Sequence, residues 1–242
     1  MEPSISARVG RLEGMNVDAT PTQSASDEPV GAAANRAVCP NYISSHFSPF
    51  SSFLKRTFDI ILSIILLILC SPIFLFCYIA VKLGGGPAIY KQERIGKGGK
   101  PFYIYKFRSM KVDAEKEGPQ LANPEEEERL TKIGRFIRAH HLDELPQFWN
   151  VLKGDMSFIG PRPERKYFID KIMEVDPRYV CLYQIRPGIT SYATLYNGYT
   201  DTMEKMLKRL EYDLVYLETG SFGGDLKLLF KTFVSIITGK KA

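Results

Sequence analysis

The stretch Phe58-Asp-Ile-Ile-Leu-Ser-Ile-Ile-Leu-Leu-Ile-Leu-Cys-Ser-Pro-Ile-Phe-Leu-Phe-Cys-Tyr-Ile-Ala-Val81 is apolar throughout except at Asp59, Ser63, Ser71 and Tyr78. About two dozen residues at ~1.5 Å each reach across a hydrocarbon core, so the run reads as a membrane segment. Pro72 stands near its centre, lacks an N–H and crowds the carbonyl of Ile68, so a helix kinks or breaks at Ser71-Pro72. Both flanks are basic: Lys55 and Arg56 before, Lys82, Lys91, Arg94, Lys97 and Lys100 after. The positive-inside rule places both on the cytoplasmic side. Two topologies fit these residues. One is a kinked spanning helix, since proline is tolerated there. The other is a re-entrant helix-break-helix using one leaflet, with Ser71 bonding a carbonyl freed by the break.

Outward from this segment the composition changes on both sides. Residues 1–46 are rich in Ser, Ala, Pro, Asn and Gly without apolar periodicity, and are expected to be a disordered tail. Residues 47–83 form the anchor and residues 84–242 one domain. Gly84 to Gly86 followed by Pro87 is a linker, with no GK[ST] to make a phosphate cradle. Ala88 to Gln92 and Phe102 to Phe107 predict a β-hairpin around Gly96 to Gly99. Asn123-Pro124 followed by Glu125 to Glu128 predicts one helix running to about Ala139. A second is expected from near Asp143 to Gly154, with Pro146 tolerated in its first turn. Tyr167 to Met173 and Met203 to Leu217 read as helical, and Asp225 to Ile237 as amphipathic before a basic Gly239-Lys240-Lys241 end. The expected class is α+β, predominantly helical with a small hairpin.

The balance of 32 basic and 27 acidic residues gives +5, which suits anionic lipid or phosphates and names no partner. The basic residues are dispersed and no aromatic-basic RNA motif occurs, so nucleic acid is not an expected partner. Cys39, Cys70, Cys77 and Cys181 form no CxxC, and two lie in the apolar run, so a reducing compartment without a disulfide framework is expected. The start of the chain lacks a secretory signal, so export is not expected.

Several clusters carry chemical potential. Asp143-Glu144 at a helix start is either a capping pair or a nucleophile beside a second carboxylate. Adjacent His140-His141 diverge by about 100° on a helix and give no zinc spacing. Pro161-Arg162-Pro163 holds an arginine between two fixed φ angles, as a phosphate clamp or as a rigid turn. Alternation on the second strand puts Lys106 and Arg108 on one face, which suits a diphosphate or a solvated edge. Arg186-Pro187-Gly188 is a third rigid basic turn.

The order Lys106-Phe107-Arg108-Ser109-Met110, Leu142-Asp143-Glu144-Leu145-Pro146-Gln147, Asn150 to Ser157, Gly160-Pro161-Arg162-Pro163 and Arg186-Pro187-Gly188-Ile189-Thr190 resembles the bacterial sugar transferases called monotopic phosphoglycosyl transferases. The resemblance spans about Lys55 to Thr238, and the chain looks like the minimal form without added helices or domain ahead of the core. It implies a re-entrant helix and interfacial amphipathic helices on the cytoplasmic face of the bacterial inner membrane. It implies that Asp143 attacks the β-phosphate of a UDP-sugar, releasing UMP, and that polyprenyl (undecaprenyl) phosphate then takes the sugar phosphate. It also implies Mg²⁺ at Asp143 and Glu144, with Lys106, Arg108, Arg162 and Arg186 as phosphate-binding candidates. Membrane lipids are expected partners and a homodimer is allowed. After Thr190 the chain departs from the commoner pattern: Ser191-Tyr192-Ala193-Thr194 and Asn197-Gly198-Tyr199 replace Gly-Trp-Ala-Gln and Asn-Gly-Arg, so sugar and base contacts are not carried over. The rival class is a membrane-tethered adaptor with a degenerate site.

Overall fold

Asp59 and Ser63, the polar residues in the first half of the apolar run, are the ones the protein buries, at 2% and 0% exposure. The computed structural model describes residues 39, 48–112, 114, 118, 126–197 and 200–238. The expected tail, apart from Cys39, lies outside the described residues, as do Asn123-Pro124, Gly198-Tyr199 and the terminal Gly-Lys-Lys.

Helix α1 (Pro49–Leu69) starts ahead of the apolar run, where Ser48 Oγ accepts the Ser51 N–H at 3.3 Å and Pro49 fills the first turn. Lys55, Arg56, Asp59 and Ser63 recur at helical spacing and make one polar stripe. Arg56 donates to the carbonyls of Val151 (2.6 Å) and Leu152 (2.8 Å), near the end of α5 (Gln147–Lys153). Such carbonyls have no intrahelical partner, so the cation satisfies them. Asp59 Oδ1 accepts the Phe158 N–H at 3.2 Å, and Lys55 pairs with Asp225 at 2.6 Å. The opposite side, with Ile61, Ile64, Ile65, Ile68 and Leu69, is exposed, Ile68 to 67%. Helix α1 is thus amphipathic with its polar side inward.

At Cys70 the chain bends by 63° into α2 (Ser71–Leu83). The bend falls where Pro72 was expected to force it, and Ser71 Oγ donates to the Ile68 carbonyl at 2.8 Å. Among the described residues no single helix is long and apolar enough to cross a membrane; this bent pair together has the length and composition. Cys77 and Val81 on the inner side of α2 pack with Ala88, Phe107 and Ile137 in a small second core.

Strands β1 (Ile89–Ile95) and β2 (Pro101–Phe107) form the antiparallel hairpin, Tyr90 opposite Lys106, somewhat longer than expected. The helix expected up to Ala139 is instead two: α3 (Glu126–Arg129) and α4 (Lys132–Ala139). Between them Leu130 bridges to Met110, and Thr131 donates its N–H to the Ser109 carbonyl at 3.0 Å while capping the Gly134 N–H at 2.9 Å. Pairing with the exit of β2 thus outweighs helix continuity. A parallel pair, β3 (Ser157–Ile159) and β4 (Gly188–Thr190), was not read from the sequence; its strands are only three residues long. The main core joins α5 and β3 to α6 (Lys166–Val175), α8 (Met203–Thr219) and α9 (Phe222–Thr238) through Val151, Met156, Ile169, Ile172, Leu214 and Leu228. Each such side chain contributes about 2 kcal/mol by leaving water. The short helix α7 (Tyr192–Tyr196) is capped by Ser191, whose Oγ accepts the Thr194 N–H at 3.1 Å.

The cysteine expectation is corrected: Cys39 and Cys181 form a disulfide across 142 positions, while Cys70 and Cys77 are free. Spacing gave no sign of it because Cys181 is carried to Cys39 by the 3-10 segment Pro177–Gln184, which buries Tyr179, Cys181 and Leu182. A disulfide is at odds with a reducing surrounding.

Candidate active site

Helix α4 ends at Ala139, His141 takes a left-handed φ of 55°, and a 3-10 turn, Leu142–Glu144, carries the two carboxylates. The helix expected to begin near Asp143 begins instead at Gln147, with Pro146 as its N-cap, so Asp143 does not cap an α-helix. A three-residue turn fixes both side chains between β2 and the turn around Arg162.

Glu144 Oε1 accepts from Lys106 Nζ and from Arg162 Nη2, each at 2.8 Å. Burial opposes the charge on Glu144, but Arg162 and Lys106 outweigh it and hold the carboxyl well below the usual carboxylate range. The same pairing, led by the Glu144 charge, raises Arg162 further. Asp143 moves the other way: burial first, then the neighbouring Glu144, push its carboxyl up, against the pull of Lys106 and Arg138. Its Oδ1 is buried without a hydrogen-bond partner among the described residues. Two adjacent carboxylates pushed apart in this way can divide roles, one a fixed anion and the other a group with an oxygen to give to a ligand.

The remaining sequence candidates separate. Arg108 lies just past β2 and turns away to the carbonyls of Val81 and Gly85, so it does not share a face with Lys106. The Gly85-Gly86 turn, left-handed at φ 80° and 78°, lets it in: a Cβ on Gly86 would stand 2.1 Å from its Nη1. Arg186 donates to the Gly154 carbonyl at 2.9 Å. His140 Nδ1 lies 2.9 Å from the Phe136 carbonyl, and no group of three metal-ligating side chains occurs among the described residues.

Sequence reading missed the frame behind Arg162. Arg94 donates to the Pro163 carbonyl at 3.1 Å and to Glu164 Oε2 at 3.3 Å, Ile95 N–H reaches the Glu164 carbonyl at 3.1 Å, and Arg209 holds Glu164 from α8. The signal available was a glutamate two residues after Arg162; Arg94 does not stand out on a strand that also carries Lys91, Gln92 and Glu93. Beside this frame lies Asp213, 2% exposed, pushed up to about 7 by burial, with Glu164 adding and Arg209 opposing. An unfolded Asp titrates near ~4. Between about 4 and 7 the folded chain therefore keeps a proton that the unfolded chain has lost, and stability falls as pH rises through that window. Asp213→Asn should remove this slope, matching the wild type near pH 4 and exceeding it at pH 8 by about 4 kcal/mol. Denaturant melts across that range test it; parallel curves for the two proteins would show that this carboxyl does not titrate there.

The profile of the family described as bacterial sugar transferase matches residues 50–239. A protein of Aeromonas hydrophila named UDP-N-acetylgalactosamine-undecaprenyl-phosphate N-acetylgalactosaminephosphotransferase is 42% identical over 193 residues, 79% of this chain and 45% of the relative. A UDP-glucose:undecaprenyl-phosphate glucose-1-phosphate transferase of Escherichia coli is 41% identical over 198 residues, 81% of this chain and 42% of the relative. One of the same name from Caulobacter vibrioides is 36% identical over 247 residues, all of this chain and 87% of the relative. The chain thus spans less than half the length of the Aeromonas and Escherichia relatives. With the profile covering most of its residues, the chain belongs to the bacterial sugar transferase family.

Proposed function

We propose that the chain transfers a sugar 1-phosphate from a UDP-sugar to a polyprenyl phosphate, the undecaprenyl carrier of its relatives' names. The observation that carries this is the buried Asp143 with an unpartnered oxygen beside a Glu144 already neutralised by Lys106 and Arg162. An Asp143 oxygen attacks the β-phosphorus, the bond to the bridging oxygen breaks, and UMP leaves with that electron pair. A phosphate oxygen of the carrier then attacks the same phosphorus, and Asp143 departs as a carboxylate. Lys106 and Arg162, charge-assisted donors from two rigid elements, turn from Glu144 toward the entering phosphates. Glu144 keeps both cations placed when no phosphate is present.

Mg²⁺ needs only one or two protein carboxylates when substrate phosphates complete its shell, and the pair here meets that condition. Asp143 has the unpartnered oxygen, with Glu144 the second ligand, and the ion when bound would neutralise phosphate charge. The apolar outer sides of α1 and α2, with Phe230, Phe233 and Ile236 of α9, support a re-entrant anchor (residues 47–83) and an interfacial catalytic domain (84–242) resting on lipid. Lys55, Arg56 and Lys82 at both ends of the anchor favour the cytoplasmic face of the bacterial inner membrane. The Cys39–Cys181 bond counts against that side.

The experiment is a panel of UDP-sugars with Mg²⁺ and the chain in detergent, read by UMP release, and by a sugar-phosphate mass on the Asp143 peptide when carrier is withheld. Absence of both with every sugar would refute the transferase reading.

A further inference from the structure

Pro161 and Pro163 have no N–H, so at these positions the turn that carries Arg162 offers its neighbours only carbonyls, and both are taken. The Pro161 carbonyl accepts the Gly188 N–H of β4 at 2.8 Å, and the Pro163 carbonyl accepts from Arg94 of β1 at 3.1 Å. Glu164, 8% exposed, completes the grip: its Oε2 accepts from Arg94 at 3.3 Å, its Oε1 from Arg209 of α8, and its carbonyl from the Ile95 N–H at 3.1 Å. Burial pushes the Arg94 guanidinium down, with Arg162 and Arg165 adding to this and Glu164 opposing it. One carboxylate thus gathers Arg94 and Arg209 beside Arg162, whose charge it also favours. Buried ion groups often add no stability over apolar side chains of the same volume; what this one supplies is a fixed direction.

That direction matters at one step. With no phosphate present, Arg162 is anchored at its tip by Glu144. When it turns toward an entering phosphate the tip is released, and the aim of its fork then depends on how firmly its backbone is held. We infer that Glu164 is a positioning residue: through Arg94 and Arg209 it fixes the Pro161–Pro163 turn, so that Arg162 meets the transferred phosphate in one orientation. Glu164 acts through Arg162 and needs no contact with the substrate. The inference rests on the transferase reading above, in which Arg162 turns to the entering phosphates.

The test is a double-mutant cycle on the full chain in detergent, read by UMP release from the UDP-sugar that the wild type turns over. Glu164→Gln should lower kcat about tenfold or more with KM nearly unchanged, because a misaimed fork is felt most in the transition state. In an Arg162→Ala background the same change should cost less than about twofold, since no guanidinium is left to aim. Lys208→Gln, on an exposed part of α8 beside Arg209, should match the wild type. Arg209→Lys keeps a charge against Glu164 but loses the planar fork; it should repeat the pattern at smaller size, and it replaces Glu164→Gln if that variant melts too low to assay. A second readout needs no turnover: the side-chain N–H signal of Arg162 in isotope-labelled protein, identified by its loss in Arg162→Lys. It should be single in the wild type and broadened or split in Glu164→Gln. Equal losses of kcat in the two backgrounds, or an Arg162 signal unaltered by Glu164→Gln, overturn the inference. Absence of UMP release by the wild type with every UDP-sugar sinks the transferase reading instead, and the Arg162 signal still decides whether Glu164 holds that guanidinium.

Discussion

Asp143→Asn should fold and partition into detergent as the wild type does, yet lose about three orders of magnitude or more in turnover. The amide is nearly isosteric and carries no charge, so the burial that pushes this carboxyl up is relieved rather than aggravated. What it cannot do is form an acyl phosphate. The variant should leave UMP unreleased and show no sugar-phosphate mass on its peptide, while its melting temperature stays at or above that of the wild type. Glu144→Gln is the informative companion. It removes the anion that gathers Lys106 and Arg162, so both cations are left to face Asp143, and turnover falls while the aspartate can still be modified. Turnover by Asp143→Asn near the wild-type rate would return Asp143 to a purely structural part in its turn.

The largest expected effect on stability is at Gly134. A methyl there would stand 1.8 Å from the Ser109 carbonyl oxygen and 2.5 Å from its carbon, both backbone atoms that cannot swing aside. Ser109 is already bonded to Thr131, so α4 has to lift away from the exit of β2. Ile137, fully buried against Phe107 and Val81, would lose its seat, and the turn bearing Asp143 follows α4 directly. Gly134→Ala should therefore cost about 3 kcal/mol or more and carry activity down with it. Gly223→Ala on α9, whose added methyl meets nothing within 4 Å, should be neutral or slightly stabilising. Equal melting temperatures for the two variants would show that the close approach of α4 to Ser109 is dispensable.

The sequence showed most where the physics is local. Proline at 72 breaks a helix whatever surrounds it, glycines at 98 and 99 permit a left-handed turn between strands, and helical periodicity placed α6, α8 and α9 to within a few residues. Lys106 and Arg162, read separately as phosphate-binding candidates, meet on Glu144. It showed least where two distant segments compete for one partner. Arg108 alternates correctly with Lys106 along the strand, but β2 ends at Phe107, and the bare carbonyls of the Gly-rich turn capture its guanidinium. Helix propensity through Arg129 and Leu130 is strong, yet the Ser109 carbonyl takes Thr131 out of the helix. The Cys39–Cys181 pairing depends on a fold that spacing cannot describe.

The inward polar stripe of α1 also bears on when the proposed anchor would settle. The side-chain hydrogen bonds of Arg56 and Asp59 run to α5 and β3, elements that follow them by about a hundred residues. Until that later part of the chain has folded, an α1 inserted as proposed would hold a guanidinium and a carboxylate compensated only by each other and by Lys55 at the edge of the hydrocarbon, where buried charge is costly. On the interfacial placement proposed above, insertion and folding of the rest of the chain would be one cooperative event, with the lipid acting as solvent for one side of the helix and the protein for the other. Grafted onto an unrelated soluble domain, the same 35-residue segment, Pro49 to Leu83, would bring its hydrophobic side and lose the ligands of its polar side, and would not behave as a portable anchor.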